Sequence, residues 1–451
     1  MPDLRTITEI APLVRAGAVS PVTLVKGCLS AIEARPEVNA FITVLRESAL
    51  EDATRAEEDI RAGRYKGPLH GIPIAVKDLI HIAGARTTSG SALPSTEASS
   101  DAPVVQRMRE AGAILIGKTN LHEFAFGTTS EESAYGPVRN PLDETRSAGG
   151  SSGGSAAALA AGMAFGALGT DTGGSVRIPS AACGTVGLKP AIGEISTVGV
   201  VPLSGTLDHV GPMARSVSDV ALMRAALTDA PADPPWETTG SLVFGVPRPY
   251  FCEMLDSDTA DALARATAAL VSAGHQVVDV EIDHAAWTPH VYLHIVLPEA
   301  AWYHAPSLER HASAYSPGIR IRLEMGQYVL AEDYVRAMRL RDLLKQHVDR
   351  ALERCSALIL PTLPIGAPPL GAATVGFGDR QEPVRAVMLR LTQLFNVTGH
   401  PALAMPAAVG KDKLPRSIQL VGSRTSQLLS IARDVETHIS GGAGSVGGGT
   451  G

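Results

Sequence analysis

The segment from Ser147 to Pro179, SAGGSSGGSAAALAAGMAFGALGTDTGGSVRIP, constrains the fold of this 451-residue chain more than any other. It holds two serine clusters framed by glycines, Gly149-Gly150-Ser151-Ser152-Gly153-Gly154 and Gly173-Gly174-Ser175, joined by an alanine-rich run that reads as a helix. Glycine accepts backbone angles that other residues avoid, so each cluster is expected to turn its backbone N–H groups toward a common point. A serine set among such donors has a nucleophile and an anion-stabilising environment side by side. Acyl transfer is the chemistry that this combination suits.

The rest of the chain can build a large core around that segment. Hydrophobic residues make up 45% and charged residues 19%, which argues against global disorder. The net charge of −7 comes with no basic stripe of the kind that binds a phosphate backbone, so nucleic acid is not expected as a direct partner. Cys28, Cys183, Cys252 and Cys355 are scattered without a C-x-x-C pair and read as four reduced thiols. No basic-then-apolar leader opens the sequence, and the longest low-charge run is too rich in glycine and serine to span a bilayer. A soluble cytoplasmic protein with no membrane association is the expectation.

Short apolar runs alternate with amphipathic helices. Strands are expected at Gly71–Lys77, Ala113–Ile116, Leu242–Val246, Val277–Ile282, Ala357–Leu360 and Ser417–Val421. Ser20-Pro21 reads as an N-cap and first-turn proline of a helix to about Arg35, Leu45–Ala62 as a second helix, and Asp101 with Pro103 as the cap of a helix to Ala111. Asp258–Ala273 is a further helix. This alternation implies an α/β fold, a parallel or mixed sheet covered on both faces. Asp229–Gly240 is expected as a surface loop within one domain, and residues 440–451 as a flexible Gly/Ser tail.

Two formal motif matches fail on context. Gly112-Ala-Ile-Leu-Ile-Gly117-Lys118-Thr119 satisfies the P-loop pattern, but its variable positions are a strand-like apolar run with no loop left to wrap a phosphate. Gly149-Gly150-Ser151-Ser152-Gly153 satisfies G-x-S-x-G, yet a polar, proline-broken loop precedes it where a nucleophile elbow needs a hydrophobic strand. A Ser-His-Asp triad on Ser151 is therefore the weaker alternative. Of the 13 histidines, none stands in a recognisable setting, and His70, His81, His122 and His209 read as surface or packing residues.

The second cluster has better surroundings, because Gly169-Thr170-Asp171-Thr172-Gly173-Gly174-Ser175 presents consecutive N–H groups as an anion-binding nest. A base is still needed. Lys77 ends the apolar run Ile72-Pro-Ile-Ala-Val76, where burial would lower its pKa and allow it to act as one. Taken alone, a lysine in that position is more often just a solvated strand end.

These residues together resemble the amidase signature family. The resemblance rests on GIPIAVKD around Lys77, GGSSGGSAAALAAG, and GTDTGGSVRIPSAACGTVGLKP, with GKTNLHEFAFGTT, SAYGPVRNP, LDHVGPMARSVSD and FNVTGHPALAMPA in support, and it covers roughly Ile7 to Ile439. It implies a single α/β/α domain over residues 1–440 around a mixed sheet of about eleven strands, and a Ser-cisSer-Lys triad. Ser175 would be the nucleophile, Ser151 the relay after a cis Gly150–Ser151 peptide, and Lys77 the neutral base. The backbone of Thr172, Gly173, Gly174 and Ser175 would form the oxyanion hole, with Ser152, Asp171 and Arg177 in support, no metal ligands and no cofactor.

Specificity in such a protein is expected from residues 284–344, where Trp287, Tyr292, Trp302, Tyr303, Tyr315 and Tyr328 cluster in a chain that is only 4% aromatic. Aromatics on amphipathic helices are more often core than pocket; any that line the pocket would favour an apolar or aromatic substrate. The resulting expectation is a hydrolase of small amides such as aryl acylamides, with esters and carbamates open to the same acyl-enzyme and a homodimer as an allowed assembly. The alternative is the glutaminase component of a tRNA-dependent amidotransferase.

Overall fold

The computed structural model describes residues 3–95, 97–228, 240–378 and 380–440. The glycine-rich tail and nearly all of the loop expected at Asp229–Gly240 lie outside the described residues. Eleven strands form one sheet. In chain order they are β1 (Phe41–Val44), β2 (Pro73–Lys77), β3 (Ile114–Thr119), β4 (Gly166–Asp171), β5 (Val186–Lys189) and β6 (His209–Ala214). They continue as β7 (Val243–Pro247), β8 (Gln276–Val280), β9 (Ala357–Pro361), β10 (Ala402–Val409) and β11 (Pro415–Val421).

Their spatial order is β1-β3-β2-β4-β6-β5-β10-β11-β9-β7-β8. The ladders β3-β2-β4 and β9-β7-β8 are parallel, and the middle of the sheet, β4-β6-β5-β10-β11-β9, is antiparallel. The sheet is therefore mixed, as expected.

Both faces are buried, and the strands show it residue by residue. Along β9, Ala357 and Ile359 join one hydrophobic cluster with Leu263 and Leu270 of the Ser257–Ser272 helix and Ile431 and Val435 of the Thr425–Ser440 helix. Leu358 and Leu360 join a second cluster with Val291 and Ile295 of the Thr288–His311 helix and Leu344 and Val348 of the Ala331–Leu352 helix. Successive side chains of a strand point to opposite faces, so a continuous apolar run is what a doubly covered sheet requires.

Local chemistry accounts for most helix ends. Ser20 Oγ accepts hydrogen bonds from the Val22 and Thr23 amides and starts the Pro21–Ala34 helix. The second expected helix runs Arg46–Arg61. Asp101 does not cap the Pro103–Glu110 helix, whose N-cap is Ala102; its carboxylate instead accepts from the Ala83 amide and pairs with Arg109. Asp256 caps the Ser257–Ser272 helix through the Thr259 amide. The P-loop-like string proves to be β3 itself, and Lys118 lies fully buried, 2.7 Å from the Asp78 carboxylate.

Among the described residues the four cysteines are unpaired, with Cys28 and Cys183 buried. Among the same residues, no helix is long and apolar enough to cross a membrane.

Candidate active site

Lys77 is the last residue of β2, and β4 runs parallel beside it with Val76 opposite Leu168. That register carries Thr170, near the end of β4, up to the lysine. Lys77 Nζ donates to Thr170 Oγ1 at 2.7 Å and lies 2.8 Å from Ser151 Oγ. Burial pushes the Lys77 ammonium down to about 7, against the opposing pull of Asp171 and Asp208. The shift favours the free amine, which faces a serine hydroxyl.

Ser151 follows a cis peptide bond from Gly150. Its carbonyl accepts from the His122 amide at 3.2 Å and from Ser130 Oγ at 3.1 Å. Ser152, just before the Gly153–Ala160 helix, ties this turn to the next one. Its hydroxyl donates to the Thr170 carbonyl at 3.2 Å, and its amide donates to the Ser175 carbonyl at 3.2 Å.

The turn from Thr172 to Ser175 is fixed through its carbonyls and side chains. Thr392 Oγ1 donates to the Gly173 carbonyl at 2.6 Å, and the Ile178 amide to the Gly174 carbonyl at 2.7 Å. Thr172 Oγ1 donates to Asp208 Oδ1 at 2.6 Å. Gly174 has a φ of +137°, and a Cβ there would overlap the Thr392 hydroxyl, so glycine is required. Among the described residues, the amides of Thr172, Gly173, Gly174 and Ser175 have no protein acceptor. Four consecutive donors left open in a buried turn form a site for an anionic oxygen.

Asp171 and Arg177 form the buried support. Arg177 pairs with Asp171 at 3.0 Å and also donates to the Thr392 carbonyl, Gln419 Oε1 and Asn396 Oδ1 at 3.0, 3.1 and 2.6 Å. Burial alone would raise the Asp171 carboxyl, but the Arg177 charge and hydrogen bonds from Arg177 and Asn396 hold it well below the usual carboxylate range. Asp171 Oδ2 in turn accepts from the Val176 amide at 3.1 Å, directly after the serine. An ion pair this deep is retained only because its remaining donors and acceptors are satisfied.

Access separates the two serines. Lys77 and Ser151 are 0% exposed, whereas Ser175 is 5% exposed. The structure thus brings the sequence-derived site residues together, with Ser175 joined to the Ser151 turn through its carbonyl and the Ser152 amide. Among the described residues no imidazole hydrogen-bonds to Ser151 Oγ; the lysine occupies that place. His70, His122 and His209 are buried packing residues, and His81 is half-buried.

Sequence reasoning missed Thr170, Asp208, Thr392, Asn396 and Gln419. Asn396 and Asp208 sit inside FNVTGHP and LDHVGP, whose polar residues amid apolar neighbours were the available signal. Beside the same turn, the Tyr292 hydroxyl and Leu389 Cδ2 lie 2.7 and 3.1 Å from where a Gly173 Cβ would be; Tyr292 belongs to the aromatic cluster read from the sequence, and Leu389 was missed. Of the six clustered aromatics, Tyr292 lies against the Ser175 turn. Trp302 and Tyr328 are more than 80% exposed, and Tyr315 packs on Phe124 and His304.

One group could suggest a metal: His275, Asp434 and His438 lie within 4.8 Å of one another. His275 Nδ1, however, accepts from the Leu242 amide, which places the proton on Nε2, facing Asp434 at 2.9 Å. A protonated Nε2 is not a ligand.

The chain matches the family model described as Amidase over residues 23–428. It is 41% identical over 426 residues to an amidase of Pseudomonas putida, covering 91% of this chain and 90% of the relative. It is 35% identical over 479 residues to the A-type glutamyl-tRNA(Gln) amidotransferase subunit of Carboxydothermus hydrogenoformans, covering 95% and 96% respectively. A crystal structure of an amidase superposes with a TM-score of 0.93 at 36% identity, covering 96% of this chain and all of the other. With a family match of this extent, on a sheet of the same architecture, the chain belongs to the amidase signature family of hydrolases that cleave carbon–nitrogen bonds.

Proposed function

We propose that the chain hydrolyses small linear amides through an acyl-enzyme on Ser175, with Ser151 as relay and Lys77 as base. The observation that carries this reading is the fully buried Lys77 amine, with a pKa near 7, lying 2.8 Å from Ser151 Oγ.

In the first half-reaction neutral Lys77 takes the Ser151 proton while Ser151 takes that of Ser175, and Ser175 Oγ bonds to the carbonyl carbon. The oxygen becomes an anion bound by the amides of the Thr172–Ser175 turn. The proton on Lys77 returns through Ser151 to the leaving nitrogen as the C–N bond breaks. Water then adds to the acyl-enzyme by the same relay, giving the acid and free Ser175. Asp171, Arg177 and Ser152 position the turn. Ester and carbamate substrates fit the same acyl-enzyme, because each presents a carbonyl and a leaving group. The Tyr292 hydroxyl and Leu389 Cδ2 both lie against Gly173, so a group bound beside the turn meets one polar and one apolar neighbour.

The similarity to the amidotransferase component keeps a second reading in play, a glutaminase that works only in a complex. The test is a panel of anilides, aliphatic amides, carbamates and glutamine offered to the purified chain, with Ser175→Ala as control. Hydrolysis of simple amides without a partner, lost in Ser175→Ala, is the expected result. Activity that survives Ser175→Ala sinks the mechanism. Glutamine hydrolysis that appears only with added partner proteins establishes the second reading.

A further inference from the structure

The Thr288–His311 and Ala331–Leu352 helices and the loop ahead of Asp208 enclose a second cavity of about 450 Å³. Neither serine, nor Lys77, nor the Thr172–Gly174 turn lines it. Its walls are mostly apolar: Leu203 and Val329 stand beside the aromatic side chains of Trp302, Tyr303 and Tyr334. Trp302 is 81% exposed and, among the described residues, has no ring against it and no cation over its face. A large aromatic left open at the mouth of a cavity is a mark of a binding surface.

The cavity lining holds one charged side chain, Glu299. Its Oε2 accepts from the Ser204 hydroxyl at 2.6 Å and the Thr206 amide at 3.1 Å, and its Oε1 from the Thr206 and Tyr334 hydroxyls at 2.7 and 2.9 Å. All four donors are neutral. A carboxylate offers about four lone-pair sites, so this one keeps its charge but has no vacant acceptor. The surrounding charges do not cancel it. Among the described residues no cationic side chain pairs with Glu299; Arg341, two turns past Tyr334 on the same helix, acts on the Tyr334 hydroxyl. Asp208, the other nearby acid, is turned inward to the Thr172 hydroxyl and to the Leu203 and Ser204 amides. At the start of the Ala331–Leu352 helix Asp333 pairs with Arg336, and Glu332 adds a further negative charge.

These two properties together select a ligand. Aromatic faces beside a negative charge attract a cation, because the ring quadrupole and the carboxylate act in the same direction. The filled acceptors select which cation. A primary ammonium would shed water from its N–H donors and find no acceptor in exchange, a loss that burial makes costly. A quaternary ammonium has no N–H to satisfy and presents methyl groups to the ring faces.

We propose that this cavity is a binding site for a small quaternary ammonium compound of the choline type, separate from the catalytic centre. The trimethylammonium head sits among Trp302, Tyr303 and Tyr334 with the Glu299 charge behind it. The proposal stands independently of the reaction assigned to Ser175.

The test is titration calorimetry of choline, tetramethylammonium, methylammonium and the neutral isostere of choline, in which a tert-butyl group replaces the trimethylammonium, into the purified full chain. Choline is expected to bind about tenfold or more tightly than its isostere, and tetramethylammonium to exceed methylammonium by a similar factor, the scale of a desolvated cation–π contact. Trp302→Leu, a change at an exposed position, should weaken choline by about fivefold or more, and Trp302→Phe should recover part of that loss. Glu299→Gln should remove the preference for choline over its isostere. Thermal unfolding checks that each variant is folded. Ser175→Ala protein should bind choline as the wild type does, which separates this site from the catalytic one. Equal binding of choline and its isostere would reduce the cavity to an apolar pocket and overturn the proposal, as would unchanged choline affinity in Trp302→Leu. Binding of a trimethyllysine peptide with free choline inert would overturn it in favour of a protein-docking surface.

Discussion

The two glycine-framed serine turns look alike in sequence and are held in opposite ways. At Ser151 the hydroxyl faces Lys77, the carbonyl accepts two hydrogen bonds, and the residue is sealed from solvent. At Ser175 the turn is anchored by its carbonyls, its amides point to no protein acceptor among the described residues, and the serine keeps some exposure. A group with every bond satisfied can pass a proton but cannot meet a substrate. A group presented beside four open donors can do the chemistry. If Ser151 is the relay and Ser175 the nucleophile, as proposed, polar satisfaction rather than motif content separates the two.

The comparison breaks most directly at the nucleophile. Ser175→Ala should lower kcat by about 10⁴-fold or more, the scale seen when a nucleophile is removed from a unit that acts together. Mass spectrometry after a slow-deacylating p-nitrophenyl ester should place the acyl group on the peptide containing Ser175; an adduct on Ser151 would reverse the two assignments.

The base comes next. Lys77→Ala should cost roughly 10²–10⁴-fold, the usual range for general base catalysis. In the wild type kcat/KM should rise as pH increases through about 7, because burial depresses the Lys77 pKa and the amine accepts a proton only when uncharged. A profile in Lys77→Ala that keeps this limb would assign it to another group.

A smaller effect is expected from the turn itself. Gly174→Ala forces a side chain into a φ of +137° and into the Thr392 hydroxyl, at a cost of about 1–3 kcal/mol in stability with reduced kcat. Thermal unfolding alongside kinetics checks it, and a full-activity, full-stability variant would show that the turn is not rigidly held. Smallest for catalysis is Asn396→Ala, which removes bonds to both Asp171 and Arg177. It should lower stability by about 1–3 kcal/mol, the cost of stranding buried polar groups, with a proportionally weaker effect on turnover.

Much of the fold was legible from local pattern. The apolar runs at Gly71–Lys77, Leu242–Val246, Ala357–Leu360 and Ser417–Val421 became strands because a doubly covered sheet buries both faces of each. The strands β4 (Gly166–Asp171) and β6 (His209–Ala214) escaped notice, being rich in glycine, alanine and proline with little strand propensity; their neighbours in the ladder hold them extended. Asp101 illustrates the reverse error, a residue with good capping chemistry drawn away by the Ala83 amide and Arg109. The aromatic cluster of residues 284–344 divided by helix face, which composition cannot resolve: Tyr292 turns to the Ser175 turn, while Trp302 and Tyr328 turn to solvent.

By itself the sequence determined the tight turns, the serine chemistry within them and the lysine at the end of an apolar run, since these depend on glycine's backbone freedom and on residues within a few positions. The tertiary structure alone decided which serine is sealed and which is open, that Lys77 loses its water, and that Asn396 and Gln419 brace an ion pair more than 200 residues away. The physical reason is that desolvation and hydrogen-bond satisfaction belong to a place in space, and here that place is assembled from strand ends and turns spread along the whole chain.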